Sequence, residues 1–529
     1  VLGENHRDSL ETRRELAEVS AAMGRHLEAI DAFQTLLDIA REKLGRSHPL
    51  ALKIQSSIAA SQIELGQFAE AQKILQSTVD ATTESLGELH PETILRKSSL
   101  AAISLKQGHL EESESLQRSL LAIAEERLGR RHLITLQIAM SLADVLHEQG
   151  AIEESKSLYE NALAISEQLL EPHSLQSLKL RFRSAGSLAF EGDYDTALLQ
   201  LNEILEVQKS LYGLGHPDTL RNLNSMAGVW MAQGRYAEAK SALDRTVVNA
   251  RQSLCANHPL ELEARSKLAS IAGLEGKAQE CNDHFKSTID ACNESYGAKS
   301  PVTIEAMISF SESLSRSGFH AEALTLQEKL LNSTKEVFGP NHSVSFRVMD
   351  CMVISLTAIG RQDEAKTLGR KVLELRIGNF GKHHPLTLES ANNLGCCLLT
   401  AGNFKEAEVL IRGAVDASRE HYGADFPATL QYTQNLASLL SMQKRSDEPI
   451  EMFRDLMARM TSSLGSEHVD VLSAKARYAA ALSFQKRFHE AKKEFQQLLE
   501  QYCRILGDDH PKTLICMDNL ASVHGAIGE

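Results

Sequence analysis

Aromatic residues are scarce in this sequence: they fill 5% of 529 positions, and tryptophan occurs once, at Trp230. A core built on large rings is therefore excluded. Cysteine is sparse as well, and none of the eight stands in a Cys-x-x-Cys pair. That pattern argues against a disulfide framework and reads as free thiols in a reducing, cytoplasmic compartment. No apolar run approaches the roughly 18 residues that would span a bilayer, and Val1-Leu2-Gly3-Glu4-Asn5 has no signal-peptide architecture. Positive charge is in deficit, with 56 Lys and Arg against 70 Asp and Glu, a net of −14. A general phosphate-backbone binder needs a cationic surface, so nucleic acid is not an expected partner. The deficit is concentrated in residues 1–200, which hold 20 basic and 30 acidic side chains, against 36 and 40 in residues 201–529. Charged content of 24% and hydrophobic content of 43% are those of a folded chain. P-loop, H-E-x-x-H, G-x-S-x-G and dinucleotide-binding fingerprints are all missing. We expect no catalytic residue, no cofactor and no enzymatic activity.

What the chain has in abundance is repetition. The phrase Leu-Gly-x-x-His-Pro-x-Thr-Leu returns with a period of 42, its histidine at 6, 48, 90, 132, 216, 258, 342, 384, 468 and 510. Ser300, Phe426 and the neighbourhood of 174 fill the remaining phases, His173 falling one residue early. Numbered from this anchor, glycine recurs at −3 and at +18, two phases that take 22 of the 31 glycines. Position +4 is apolar in all thirteen units, from Leu10 and Leu52 to Leu472 and Leu514. Position +11 is small nearly throughout, as at Ala17, Ala59, Ala101, Ala143, Ala185, Ala227 and Ala269, which lets two helices approach closely.

Each unit parses into two helices. Eight of the eleven prolines follow the anchor, where the missing N–H has no intrahelical partner to lose. An A helix is predicted over about +1 to +17, stopped by the +18 glycine in a left-handed conformation. A B helix then opens at phrases such as Gly66-Gln67-Phe68-Ala69-Glu70-Ala71 and Gly402-Asn403-Phe404-Lys405-Glu406-Ala407, its acidic residue suited to the helix dipole. One helix pair cannot bury both of its apolar faces, so neighbouring units must stack into an all-α solenoid of antiparallel pairs. About twelve full repeats and a terminal helix form one continuous array over residues 1–529. Its linkers lie near 2–10, 44–52, 86–94, 128–136, 169–178, 212–220, 254–262, 296–304, 338–346, 380–388, 422–430, 464–472 and 506–514.

The G-x-[FY]-x-E-A phrase and the Leu-Ala pair at +10/+11 resemble tetratricopeptide (TPR) repeats, and the 42-residue period with its L-G-x-x-H-P-x-T-L linker resembles the kinesin-light-chain type. Similar arrays occur at the C-terminal end of fungal STAND-type (NLR-like) NTPases. The resemblance implies a right-handed superhelix whose concave wall of A helices binds a peptide or protein. It also implies that groove-facing positions lie near +5, +8, +9 and +12. Asn393, Asn435 and Asn519 hold +9 in the family's Asn-Leu-Gly/Ala form, and Asn224 and Asn392 hold +8. Lys179, Arg183 and Arg221 share groove-facing phases around repeats five and six, either as a patch for a partner's carboxylates or as solvated helix charges. A second basic cluster, Lys486, Arg487, Lys492 and Lys493, falls on a turn and a B helix, the convex side.

Three identities compete: the recognition region of a larger receptor such as a STAND-type NTPase, a kinesin-light-chain-like cargo adaptor, and the non-catalytic arm of an enzyme whose active domain lies elsewhere. The first is favoured by the length of the array and by ends that fall inside the repeat pattern, which read as a piece of a longer protein. Metal is not expected. Cys255-x-x-His258 and Cys281-x-x-His284 fall at opposite ends of one A helix, roughly 24 Å apart at 1.5 Å per residue. Repeat five departs most from the pattern, with Leu169-Leu170-Glu171-Pro172-His173-Ser174 in its linker and Gly186 inside its A helix. It is either a drifted repeat or a local change of superhelix curvature over about 165–195. Lys444 and Lys486 stand where other repeats have the +18 glycine. A left-handed lysine there would cost about 1–2 kcal/mol. Trp230 sits at +14, a core phase that is leucine in most other units.

Overall fold

The computed structural model describes residues 6–169, 174–443 and 447–528. Its helices alternate as A and B, and no strand occurs among the described residues. In the second repeat the A helix is Pro49–Glu64 and the B helix Phe68–Leu86, so A ends one residue earlier than the +17 expected.

Every residue type in the linker phrase has a physical task, visible at 87–94. Gly87 takes φ 90° and its amide donates to the Thr83 carbonyl, closing the preceding B helix. His90 is extended, and its Nδ1 accepts a 3.2 Å bond from the Glu92 amide, one of the donors a helix start leaves unpaired. Pro91 occupies the first helical position. Thr93 is buried and its Oγ1 donates to the Gly87 carbonyl at 2.9 Å, tying the linker into a loop. Ile94 enters the core. The histidine cap recurs at His6, His48, His132, His216, His258, His342, His384, His468 and His510. The threonine tie recurs at Thr135, Thr219, Thr303 and Thr513. Since Nδ1 accepts, each neutral ring carries its proton on Nε2. Such a cap stabilises a helix by about 1 kcal/mol.

The phases assigned to the core are buried. Leu10, Leu52, Leu136, Leu178, Leu220, Leu262, Ile304, Phe346, Leu388, Leu430 and Leu472 are all inaccessible at +4, and the alanines at +11 are buried between helices. Each such aliphatic side chain contributes about 1.5–3 kcal/mol on burial. Leu514, on the last helix, is the exposed member of the series. Trp230 is partly buried against the cluster of repeats five to seven, with the Arg235 guanidinium 5.9 Å above its ring.

Neighbouring A helices lie against one another, whereas successive B helices are spread apart, so the A helices line the inner wall. After six repeats the coil meets itself. The Nε2 atoms of His258, His342, His384 and His468 lie 3.2, 3.1, 2.9 and 3.2 Å from the carbonyls of Ala22, Lys106, Glu148 and Ala232, each 236 residues earlier. These N–H groups donate from the linkers of the second turn to the A-helix ends of the first. A Cβ on Gly108 would stand 3.0 Å from His342 Cδ2, and one on Gly150 only 2.6 Å from Pro385 Cδ. Around Gly360 and Gly402, in the second turn, such an atom would meet nothing within 4 Å. The same glycine phase therefore serves backbone geometry everywhere and close approach only where a later turn docks. Ser300 and Phe426, which replace the histidine, use other contacts: Pro301 covers Gly66, and the Phe426 ring lies 5.5 Å from that of Phe190.

In repeat five, residues 170–173 lie outside the described residues. Its A helix, Leu175–Glu191, is capped by Ser174, whose Oγ accepts from the Ser177 amide, so it starts in phase with the others. Lys486 adopts φ 63°, keeping the left-handed turn without glycine, and Asn257 does so at φ 59° in the one linker where Cys255 takes the glycine phase. Lys444 lies outside the described residues.

Candidate functional site

Contact between turns makes the inner wall a lumen. Cavities open at the seam, among them one of about 1570 Å³ between repeats one to two and six to eight and one of about 950 Å³ between repeats five to six and eleven to twelve.

The eight sequence-predicted residues distribute unevenly. Asn224 and Asn392, at +8, are only 1% and 2% exposed. Asn224 Nδ2 donates to the Leu260 carbonyl at 3.0 Å and to Glu263 Oε2 at 3.2 Å, so its amide joins adjacent repeats. Asn392 Oδ1 accepts from Asn435 Nδ2 at 3.0 Å. The +8 phase thus faces the next A helix, and the +9 phase lies about 100° further round, where Asn435 and Arg477 reach the lumen. Asn393 and Asn435, at +9, are half-buried, their amides meeting the +8 residues of the preceding A helix, Asp350 and Asn392, and Asn519 is half-buried on the last helix. Arg183 is held 3.1 Å from Asp144, and Arg221 lies 2.6 Å from Asp218, so both cations have neighbouring carboxylates. Lys179 is exposed. Arg221 lines the larger cavity and Asn435 the smaller.

A polar row links repeats nine to twelve. Arg477 Nη1 donates to Asn435 Oδ1 at 3.1 Å and to Ser438 Oγ at 3.3 Å, and Asn435 continues to Asn392. Ser390 Oγ then donates to the buried Asp350 carboxylate, at 3.0 and 2.9 Å from its two oxygens. Asp350 pairs at 2.7 Å with Arg376, which is 1% exposed and also donates to the Leu386 carbonyl. Burial pushes the Asp350 carboxyl up, and the Arg376 guanidinium pulls it back down. Arg477 has no carboxylate within 4 Å among the described residues; its side chain is exposed to the lumen, and the protein crowding around it disfavours its charge, lowering its pKa. Sequence reasoning passed over Arg477, although it shares the +9 phase of Asn393 and Asn435. Arg376 also left a signal, as a charged residue in a phase that is Ala40, Thr82, Ala124 and Ser166 in earlier units.

The two Cys-x-x-His pairs do not flank one A helix as expected: Cys255 and His258 precede the A helix Pro259–Leu274, whereas Cys281 and His284 lie in the following B helix, Ala278–Tyr296. Cys281 is buried with Sγ 3.1 Å from Ser313 Oγ, while Cys255 sits at the seam beside Gly24. Burial raises both thiols above their ordinary range.

Residues 8–84, 92–168, 134–210, 344–420 and 470–529 match a family model described as Tetratricopeptide repeat, and residues 303–343 match a second of the same description. Solved structures similar to the chain include nearly identical TPR-like repeats of a Podosopora anserina protein titled a kinesin light chain, at 19% identity and TM-score 0.24, covering 48% of this chain and 98% of that one. Another is a Rap protein complexed with Competence and Sporulation Factor, at 13% identity and TM-score 0.40, covering 67% and 99%. A third is BtubC (BKLC) from P. vanneervenii, at 17% identity and TM-score 0.34, covering 46% and 92%. Among the curated proteins none matches the chain. No helix among the described residues is long and apolar enough to cross a membrane. With family matches spread over most of its length and helix pairs throughout, the chain belongs to the tetratricopeptide repeat family.

Proposed function

We propose that the array is a non-enzymatic scaffold that binds an extended peptide or a protein surface along its inner wall. Membership in a family of protein-interaction repeats supports this role. The observation that carries it is the polar pair of Asn435 and Arg477, whose side chains line a seam cavity with room for a chain. A peptide backbone there would meet a side-chain amide and a cation with no carboxylate partner among the described residues, the kind of surface that reads extended segments by hydrogen bonds and shape. Lys179, Arg183 and Arg221 would add attraction for acidic groups, with Asp144 and Asp218 as competitors for two of them. The free cysteines fit a cytoplasmic setting.

Peptides selected against the whole chain from a random library provide the test. Asn435→Ala and Arg477→Ala should weaken the selected peptides at least tenfold, and Lys405→Ala on a B helix should not. Equal affinity across all three variants would refute the inner wall as the binding face. Glu at 179, 183 and 221 should weaken acidic peptides selectively, and undiminished binding would discard that patch. In a larger protein the array would serve as the recognition region of a receptor such as a STAND-type NTPase. A P-loop domain in the full-length gene supports that setting, a heptad coiled coil supports a kinesin-light-chain-like adaptor, and a catalytic domain supports an enzyme arm.

A further inference from the structure

The seam joins two unlike surfaces, and a coil of any length leaves one of each uncovered. Its bonds place the linker of one repeat on the A-helix end of the repeat six units earlier. Among the described residues, the A-helix ends of repeats eight to thirteen therefore carry no linker, and the linkers of repeats one to six rest on no A-helix end. These two rows are the upper and lower edges of the coil. A longer array would move both along the chain without removing either.

The edges keep the parts that make the seam. In repeats one to seven, a Cβ on the +18 glycine would stand 2.6–3.1 Å from the nearest atom of the linker above it. On Gly318, Gly360 and Gly402 of the upper edge it would meet nothing within 4 Å. On the lower edge, His48 and His90 cap their helices through Nδ1 as the seam histidines do. Their rings are only half-buried, and Nε2 has no carbonyl partner among the described residues. The upper edge is also less charged than its covered counterpart. Positions +16 and +17 hold five charged residues of fourteen in repeats one to seven, and one of twelve, Arg316, in repeats eight to thirteen. A surface kept for water would show the opposite bias. Phe319, Ile359, Met442 and Phe484 stand exposed along the upper edge, and Leu89, Leu133 and Leu214 along the lower.

We propose that the upper edge of one copy of this chain docks the lower edge of a second copy. His6, His48 and His90 of the second copy would stand over the carbonyls of Arg316, Ala358 and Thr400, beside the three uncovered glycines. The six-repeat offset fixes this register, because the unit that belongs on repeat eight is the fourteenth, the first of the next copy. In the same register the linker of repeat five, which has lost the Leu-Gly-x-x-His phrase, falls on repeat twelve, where Lys486 replaces the glycine. The two departures from the pattern thus coincide. The surfaces are unlike, so the contact is heterologous and leaves each copy a free edge. Copies then add in file and continue the coil as an open filament.

The test uses the full chain in sedimentation and light scattering over a concentration series. Mean mass should climb with concentration and not level at a dimer. Ile359→Arg alters the upper edge and Leu89→Arg the lower, at side chains 39% and 46% exposed. Within the seam these two phases meet around one recess, where Leu65 and Gln107 at +17 face Lys299 at −1. Each variant should keep the melting temperature of the parent and weaken association at least tenfold. Mixed in equal amounts, the two should form pairs and nothing larger, since one keeps a working lower edge and the other a working upper edge. Three results would each overturn the proposal. They are a chain monomeric up to its solubility limit, which leaves the edge to another protein or to further repeats, a mass that levels at a closed dimer, and a mixture of variants that stays monomeric.

Discussion

Replacing His384 by alanine removes a helix cap, a bond between turns and a buried ring in one step, whereas replacing His132, at the same repeat phase, removes the cap alone. Both histidines accept from the amide two residues on, Leu386 at 3.1 Å and Ile134 at 3.2 Å. Loss of that bond costs about 1 kcal/mol at either site. Only His384 also donates from Nε2 to a carbonyl, that of Glu148 at 2.9 Å, worth about 1 kcal/mol more. Its ring, 5% exposed, fills the seam beside Gly150, and the vacated space adds about 1 kcal/mol. His384→Ala should therefore cost about 3 kcal/mol and His132→Ala about 1. Long repeat arrays need not unfold in one step, so native-state hydrogen exchange read at the Gly150 turn is the suitable assay. His384→Ala should lower protection there on the order of a hundredfold, and His132→Ala should leave it nearly unchanged. Equal loss of protection in both variants would show that the turns do not support each other through these rings.

Gly150→Ala and Gly402→Ala both place a side chain at positive φ, so each should cost about 1–2 kcal/mol. Gly150→Ala should cost a further 1–3 kcal/mol because its Cβ meets Pro385, and thermal melts that fall equally would contradict this. Lys486→Gly relieves a left-handed lysine at φ 63° and should stabilise the array by about 1 kcal/mol in urea titrations; no gain would mean the turn is unstrained. Acid should loosen the seam. Burial holds His258, His342 and His384 down at about 4, below their unfolded value. The unfolded chain therefore binds more protons between pH 6.5 and 4, and the stability present above that window is lost as pH falls through it, by about 1–2 kcal/mol per ring from pH 7 to 5. Small-angle scattering should show an elongated coil near pH 5, and unchanged dimensions would argue against it.

The linker phrase could be read in full because each of its residues acts within a few positions of itself. Glycine closes a helix, histidine caps one, proline opens it, and threonine ties back to the glycine carbonyl, so period and chemistry coincide. The seam was not readable in the same way. Its bonds join residues 236 apart, a distance set by the sum of small rotations over six repeats, and the +18 glycine looks the same whether or not a later turn covers it. The wall residues failed by a single step. Asn392 and Asn393 are adjacent, yet one is buried against the next A helix and the other turns half-buried toward the preceding one, which depends on the angle between repeats. Arg376 and Asp350 are paired from different helices, and neither phase alone announces the other.

A stack of repeats that touch only their neighbours behaves as a one-dimensional chain, fraying from its ends and stretching like a spring. The rungs at 236-residue spacing add a second dimension. Each rung closes a loop of more than two hundred residues, so its loss in one repeat lowers the barrier for the repeat six units away. Under tension such a coil should resist as a block, then lengthen abruptly once the rungs part in sequence, giving a sawtooth of force rather than a smooth extension.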